Sequence, residues 1–394
     1  MAAAGRTRAP VWLLVLITIS GTLAMHMFVP ALPDAARALH ASGAAMRMTI
    51  SVYIAGLALG QLAYGPLSDA FGRRPLLLVG LVLYTAAGLA AALATSAAAL
   101  VAARLFQALG GCAGLALGRA IVRDTSAPDE AVRALALMNL MMMVGPGLAP
   151  LLGSGLVLLS GWRAVFALLA VLGAATLAFT WKMVPETATP SGRFSLARLG
   201  GDYATLLRSR AFLGYAIGGG CATTSIYAFI AAAPFIFAGQ LHRPPAEIGL
   251  YLGMLVTGMS VGNALTRRLV RSVGIERLLL GGNAVSIAAA LALLLIVLRG
   301  DLSVAGAVGC MFVFALGAGA SSPAALSKAL DVDAGLVGSA AGLYGCTQMA
   351  VGALCTMLAG IGDNPALAVA CVLTAAALLG QAGFWSALTA RRRP

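Results

Sequence analysis

Few residues in this chain can do chemistry, and those few stand in an unusual setting. His26, Arg104 and Gln107 lie within long apolar runs, whereas all thirteen carboxylates fall in polar breaks or at the ends of runs. A charge at the centre of a bilayer is costly, and where one occurs it marks function by default. The imidazole of His26, with an ordinary pKa of about 6.5, can carry a proton or donate a hydrogen bond to a bound molecule. The blander reading has it satisfied by a neighbouring backbone carbonyl. Arg104 is a fixed cation a short way into its run, and Gln107 three residues on shares its helix face. The pair reads as the wall of a polar pocket; snorkelling of Arg104 to the interface is the alternative. Asp34 and Asp124, near opposite mouths of the membrane, are the alternative proton carriers.

A second cluster is the stretch Gly65-Pro66-Leu67-Ser68-Asp69-Ala70-Phe71-Gly72-Arg73-Arg74, a charged, glycine-bracketed turn between two apolar runs. Gly65 is expected to permit close helix packing, and Gly72 a tight turn. Arg73 and Arg74 should pin the loop to one membrane face. Asp69 is placed to accept charge-assisted hydrogen bonds from Arg119 or Arg123, or to face the positive end of a helix beginning near Gly335. Either contact makes it a gate between two halves of the chain. Gly262 opens an echo of this stretch half a chain length later, ending at Gly274 and lacking the Asp.

Weaker candidates for lining a pocket are Asn139 and Met142 in a methionine-rich run, Tyr227 and Phe229, and Tyr344 with Gln348. Methionine adapts its shape to irregular surfaces, and an amide in lipid needs a partner. Tyr344 and Gln348 are one helical turn apart and share a face. Gly145, Pro146, Pro150 and Gly153 interrupt the same run as Asn139, predicting a kinked and closely packed helix.

The elements that must position these residues follow from composition. Hydrophobic residues make up 60% of the 394 and charged residues 10%, against about 25% charged in a soluble domain. The chain lacks the polar surface to face water on all sides. Continuous apolar runs of about 20 residues exclude a β-barrel, and in lipid such runs must be helical. Twelve spans are predicted: 11–32, 48–67, 76–95, 99–121, 136–158, 164–183, 211–237, 247–266, 278–298, 303–326, 335–360 and 366–388. The polar segment 185–210 divides them into two six-helix lobes, 1–184 and 211–394. The fold class is thus all-α and integral to the membrane, with two pseudo-symmetric lobes.

The net charge of +13 sits mostly on one side of this arrangement. With the N-terminus cytoplasmic, only Arg37, Arg47, Arg163, Arg243 and Arg299 fall outside, which places both termini in the cytoplasm of a cell inner membrane. The same bias accounts for the basic charge without nucleic acid. The first run is too long for the apolar core of a signal peptide. Six cysteines inside apolar runs, with no C-x-x-C spacing, read as packing residues. Three histidines, with no H-E-x-x-H, G-x-S-x-G or phosphate-binding loop, argue against an enzyme, and nothing resembles a channel filter. No cofactor or metal is called for.

The stretch from Gly65 to Arg74 resembles the loop signature of the major facilitator superfamily, with Ala70 at a commonly basic position. Arg104-Leu105-Phe106-Gln107-Ala108-Leu109-Gly110 is similar to that family's R-x-x-Q-G-x-G motif, with Ala108 in place of the first glycine. Gly145-Pro146, Pro150 and Gly153 resemble its antiporter signature. Val29-Pro30-Ala31-Leu32-Pro33, the segment from Arg119 to Asp124, Gly161-Trp162-Arg163, Pro185-Glu186-Thr187 and the segment from Ala340 to Gly345 look like the Bcr/CflA type of twelve-span drug:proton antiporter. The resemblance spans the chain. It implies efflux of drugs or small molecules by a monomer through alternating access with proton antiport, and His26 stands where the family usually has an Asp. Without a central carboxylate, neutral or anionic amphipathic substrates are expected. An uncoupled facilitator or metabolite exporter of the same fold is the alternative.

Overall fold

A computed structural model describes residues 9–125, 138, 148–188, 196–333 and 336–391, and every element in them is a helix. Among the described residues, eleven helices are long and apolar enough to cross a membrane. In chain order they are α1 (Val11–Ala38), α2 (Gly43–Phe71), α3 (Arg73–Ala92) and α4 (Ala97–Thr125). After α5 (Leu148–Ser160), a shorter apolar helix, come α6 (Trp162–Met183), α7 (Arg210–Gln240) and α8 (Pro245–Val273). The last four are α9 (Ile275–Arg299), α10 (Val304–Leu330), α11 (Val337–Leu358) and α12 (Pro365–Arg391). The helix α5 is the described part of the span expected at 136–158, so the order matches the twelve-span expectation.

Some helices outrun their apolar runs where a polar side chain, rather than hydropathy, sets the start. The side chain of Ser42 accepts the Ala45 N–H at 3.1 Å and starts α2 there, several residues before the apolar run. Arg47, expected as a loop charge, is therefore inside α2 and only 5% exposed.

Two helices are broken. In α1 the α-helix ends at Met27, a 3-10 turn covers Val29–Ala31, and a short helix Leu32–Ala38 follows. Pro30 and Pro33 lack the N–H that a continuous ladder needs. In α7 the break falls at Thr224 and Ser225, half a chain length later.

The packing repeats with the same offset. α1, α2 and α3 all pack on α4, and α3 packs on α6; α7, α8 and α9 all pack on α10, and α9 packs on α12. These are two pseudo-symmetric six-helix lobes. In lipid no hydrophobic force drives helices together, so close backbone approach through small residues holds them. Gly114 of α4 lies against the Ile17 carbonyl of α1, and Gly319 of α10 against the Met259 carbonyl of α8. The turns entering α3 and α9 also match. Gly72 has φ 99° and ψ 154°, and Gly274 has φ 85° and ψ 151°, a conformation open essentially to glycine alone. The echo at Gly262 to Gly274 is thus a structural repeat. Between the lobes, α2 runs against α11.

Candidate functional site

The two broken helices face each other across the lobe interface. His26, 4% exposed, ends the first part of α1, where its carbonyl accepts the Phe28 N–H. Its ring meets that of Tyr227, just past the break in α7, with centroids 6.2 Å apart and planes at 62°. This edge-to-face geometry is favoured between π systems. α5 closes on the same point: a Cβ at Gly153 would sit 3.2 Å from Met27 Cα, so only glycine fits there without a shift. Pro150 is buried one turn earlier.

Around the break in α7 the polar groups of α11 gather. The Thr224 hydroxyl reaches the Gln348 carbonyl at 2.6 Å, and Gln348 Nε2 donates to Thr223 Oγ1 at 3.3 Å and to the Tyr344 hydroxyl at 3.4 Å. From the other lobe, Gln61 Nε2 of α2 donates to the Gly345 carbonyl at 3.4 Å. His26, Tyr227, Tyr344 and Gln348 are therefore brought to one seam, joined by Gln61 and Thr224, which the sequence did not single out. Phe229 turns away: it packs on Phe237 and shares a small cleft with Leu293, Leu302 and Val369 within its own lobe. Asn139, Met142, Gly145 and Pro146 lie outside the described residues.

Arg104 stands behind α1, inside its own lobe and fully buried, so the snorkelling reading fails. Its Nη1 donates to Gln107 Oε1 at 2.8 Å and to the Ala24 carbonyl at 3.1 Å. The guanidinium lies 3.8 Å from the Tyr53 ring centroid, 5.5 Å from Phe28 and 5.7 Å from Phe166. A desolvated cation over an aromatic face gains about 2 kcal/mol, which offsets part of the burial cost. Its Nε and Nη2, and Gln107 Nε2, have no hydrogen-bond partner among the described residues. Tyr53 and Tyr84 donate to the carbonyls of Gly21 and Ser20 at 2.6 and 3.1 Å. Together with Arg104 they fix the stretch of α1 that leads to His26.

The charged loop forms a separate cluster. Asp69 pairs with Arg73 at 2.7 Å, and Arg73 Nε reaches Asp124 at 3.2 Å. Arg73 also bonds the Ser68 hydroxyl. Glu186 accepts the backbone N–H groups of Arg73 and Arg74 at 2.9 and 3.2 Å, capping α3, where a carboxylate is favoured. Arg74 donates to the Trp181 carbonyl at 2.8 Å. Asp124 thus belongs to the loop cluster, while Asp34 pairs with Arg37 at 2.5 Å at the opposite end. Arg119 lies near the end of α4, exposed and partnered; the side chain of Arg123 and residue Gly335 are outside the described residues. The packing role expected of Gly65 is not seen, since a Cβ there would meet open space. A short linker helix, Leu196–Arg208, touches both lobes nearby: Tyr203 donates to the Leu62 carbonyl at 3.4 Å, and Ser339 to Asp202 at 3.2 Å.

Two repeated helix bundles, with broken helices and polar groups at their meeting point, define a secondary transporter. The family model of the Major Facilitator Superfamily matches residues 14–356, and the chain belongs to that superfamily of transporters. Its relatives include an uncharacterized MFS-type transporter, YdgK, of Bacillus subtilis, 28% identical over 95% of this chain and 94% of the relative. A bicyclomycin resistance protein homolog of Haemophilus influenzae is 27% identical over 84% and 83%. The multidrug transporter MdfA of Yersinia pestis is 31% identical over 68% and 65%. The resemblance to the Bcr/CflA type is borne out by these relatives. Among solved structures, a bacterial homolog of the human lysosomal transporter Spinster, in an inward-facing and occupied conformation, aligns with a TM-score of 0.76. That alignment has 16% identity over 97% of this chain and 96% of the other. A D-xylose-proton symporter aligns with a TM-score of 0.71 and 16% identity over 94% and 96%. At such identity these structures support the fold.

Proposed function

We propose that this transporter exports drugs or similar small molecules across the cell inner membrane by alternating access. Lobes 1–184 and 211–394 rock against each other about the α1–α7 seam, joined by 185–210. The observation that carries this reading is the meeting of His26 and Tyr227 at two broken helices, in a chain whose relatives are named for drug resistance. Discontinuous helices at the repeat interface are where transporters of this kind build substrate sites. The protein works as a monomer, with the Gly72 loop and both termini cytoplasmic, as the basic bias favours. Inward proton movement drives export.

Arg104 is a fixed cation, and no carboxylate stands at the centre of a span in the sequence. Arg104 does not line the seam, but its positive field from behind α1, with no carboxylate to offset it, favours neutral or anionic amphipathic molecules over organic cations. A susceptibility panel comparing a null strain with an overexpressing one tests export itself. Uptake into inverted vesicles tests selectivity: neutral antibiotics should accumulate, and strong uptake of quaternary ammonium dyes with none of neutral antibiotics would overturn it. The missing carboxylate also favours a second reading, an uncoupled facilitator or metabolite exporter. Accumulation in proteoliposomes under an imposed pH gradient, strengthened by His26→Asp, supports antiport; accumulation indifferent to the gradient supports the facilitator.

A further inference from the structure

We propose that Arg47 is a latch holding the two lobes together at the end of the molecule opposite the Gly72 loop, and that each transport cycle must open it. The argument starts from burial. Arg47 lies in the second turn of α2 and is 5% exposed, although a guanidinium stays charged under all ordinary conditions. Such a cation needs partners, and the hydrogen-bond and ring partners described for it belong to the other lobe.

Its Nη2 donates to the Gly360 carbonyl at 3.1 Å, in the turn that follows α11. The last carbonyls of a helix have no partner within it and carry the negative end of its dipole, so a cation is favoured there. The same guanidinium lies over the ring of Phe235 in α7, 4.9 Å from the centroid, a favourable cation–π position. One side chain of α2 thus grips two helices of the facing lobe. A Cβ on Gly43, one turn before Arg47, would sit 3.0 Å from the Phe235 ring, so the start of α2 lies directly on α7. α5 and α8 also meet closely across the lobes at this end: the Leu151 backbone would stand 3.0 Å from a Cβ on Gly249.

At the Gly72 end the picture reverses. Gly65 of α2 faces open space, and the Asp69 side chain is 66% exposed. The lobes therefore meet tightly at the Arg47 end and part beyond Gln61. Separating them at the Arg47 end must break the Gly360 bond and the Phe235 stack together. The latch is also built to release. Arg47 Nε has no hydrogen-bond partner among the described residues, and burial of an incompletely paired charge is costly, so water competes for the guanidinium once the seam loosens.

This inference concerns conformation alone and stands whether or not the substrate and proton readings hold. The test places spin labels at Thr95→Cys and Asp301→Cys, exposed turns of opposite lobes at the Arg47 end, in full-length protein with Cys371→Ser removing the exposed native thiol. Distances are read by pulsed electron resonance in lipid nanodiscs. With Arg47 present, one short distance should dominate. Arg47→Ala should raise the ratio of long to short distances at least about fivefold. Arg47→Lys should fall between, since an ammonium lacks the flat face for the stack. Phe235→Leu removes the stack alone and should shift the ratio in the same direction, by less. Unchanged distributions in both Arg47→Ala and Phe235→Leu would overturn the latch. Should Arg47→Ala not fold, Phe235→Leu decides: a shift supports the latch and no shift refutes it. A merely structural role would lower thermal stability without redistributing distances.

Discussion

His26 and Tyr227 touch edge to face across the lobe interface, each two residues from the break in its own helix. Because the breaks lie half a chain apart, the contact joins equivalent points of two repeated bundles. Motion of one lobe against the other therefore alters this contact whatever the direction of rocking. His26→Ala and Tyr227→Ala should each slow drug export from loaded vesicles. The double variant should cost less than the two losses combined, by a coupling of about 0.5–3 kcal/mol, as for residues in contact. Strict additivity would make the contact incidental.

Asp69 is the gate candidate, and its ion pair with Arg73 in this state lies within one lobe. With Asp69 66% exposed, that pair contributes no more than about 1 kcal/mol, and Arg73 keeps its bond to Asp124. If the carboxylate acts in the other state of the cycle, Asp69→Asn should leave expression and thermal stability nearly unchanged while impairing transport. Unchanged efflux would sink the gate reading.

How much of this was legible beforehand depends on the range of the interactions involved. The spans were legible because lipid imposes an apolar run on every crossing helix. Their ends were not, since Ser42 starts α2 by a local cap, and this carried Arg47 from an expected loop into a buried seam. The pairing of Arg104 with Gln107 followed from helical spacing. The ring cage around Arg104 did not, because Phe28, Tyr53 and Phe166 come from three other helices. Glu186 caps α3 from 113 residues away in sequence, and no local pattern marks it. The outward turn of Phe229 was equally hidden, since two residues from Tyr227 on a broken helix give no sure face.

Gly72 and Gly274 offer a matched pair for that cap. Both hold a conformation that costs a non-glycine residue about 1–3 kcal/mol, so alanine at either should lower the thermal midpoint in detergent. At Gly274 a Cβ meets open space, whereas at Gly72 it would sit 3.0 Å from the Glu186 carboxyl carbon. Gly72→Ala should therefore be the more damaging, by the roughly 0.5–2 kcal/mol that a lost N-terminal cap costs. In a Glu186→Ala background the cap is already gone and the two glycine variants should converge. Equal midpoints in the native background would show that Glu186 does not secure α3.

Gly153 and Gly155 separate packing from helix propensity within α5. A Cβ on Gly153 would lie 3.0 Å from the Met27 carbonyl carbon, backbone against backbone, where no side chain can swing aside. A Cβ on Gly155 has nothing within 4 Å. Alanine favours a helix over glycine by about 1 kcal/mol, so Gly155→Ala should hold or slightly raise the thermal midpoint. Gly153→Ala brings its Cβ onto the Met27 carbonyl oxygen as well, so α5 must move off α1 at the residue next to His26. It should lower the midpoint and slow export, and Gly153→Val should do both more severely. If Gly153→Ala matched Gly155→Ala in stability and export, the close approach of α5 to the α1 break would not be a requirement of the site.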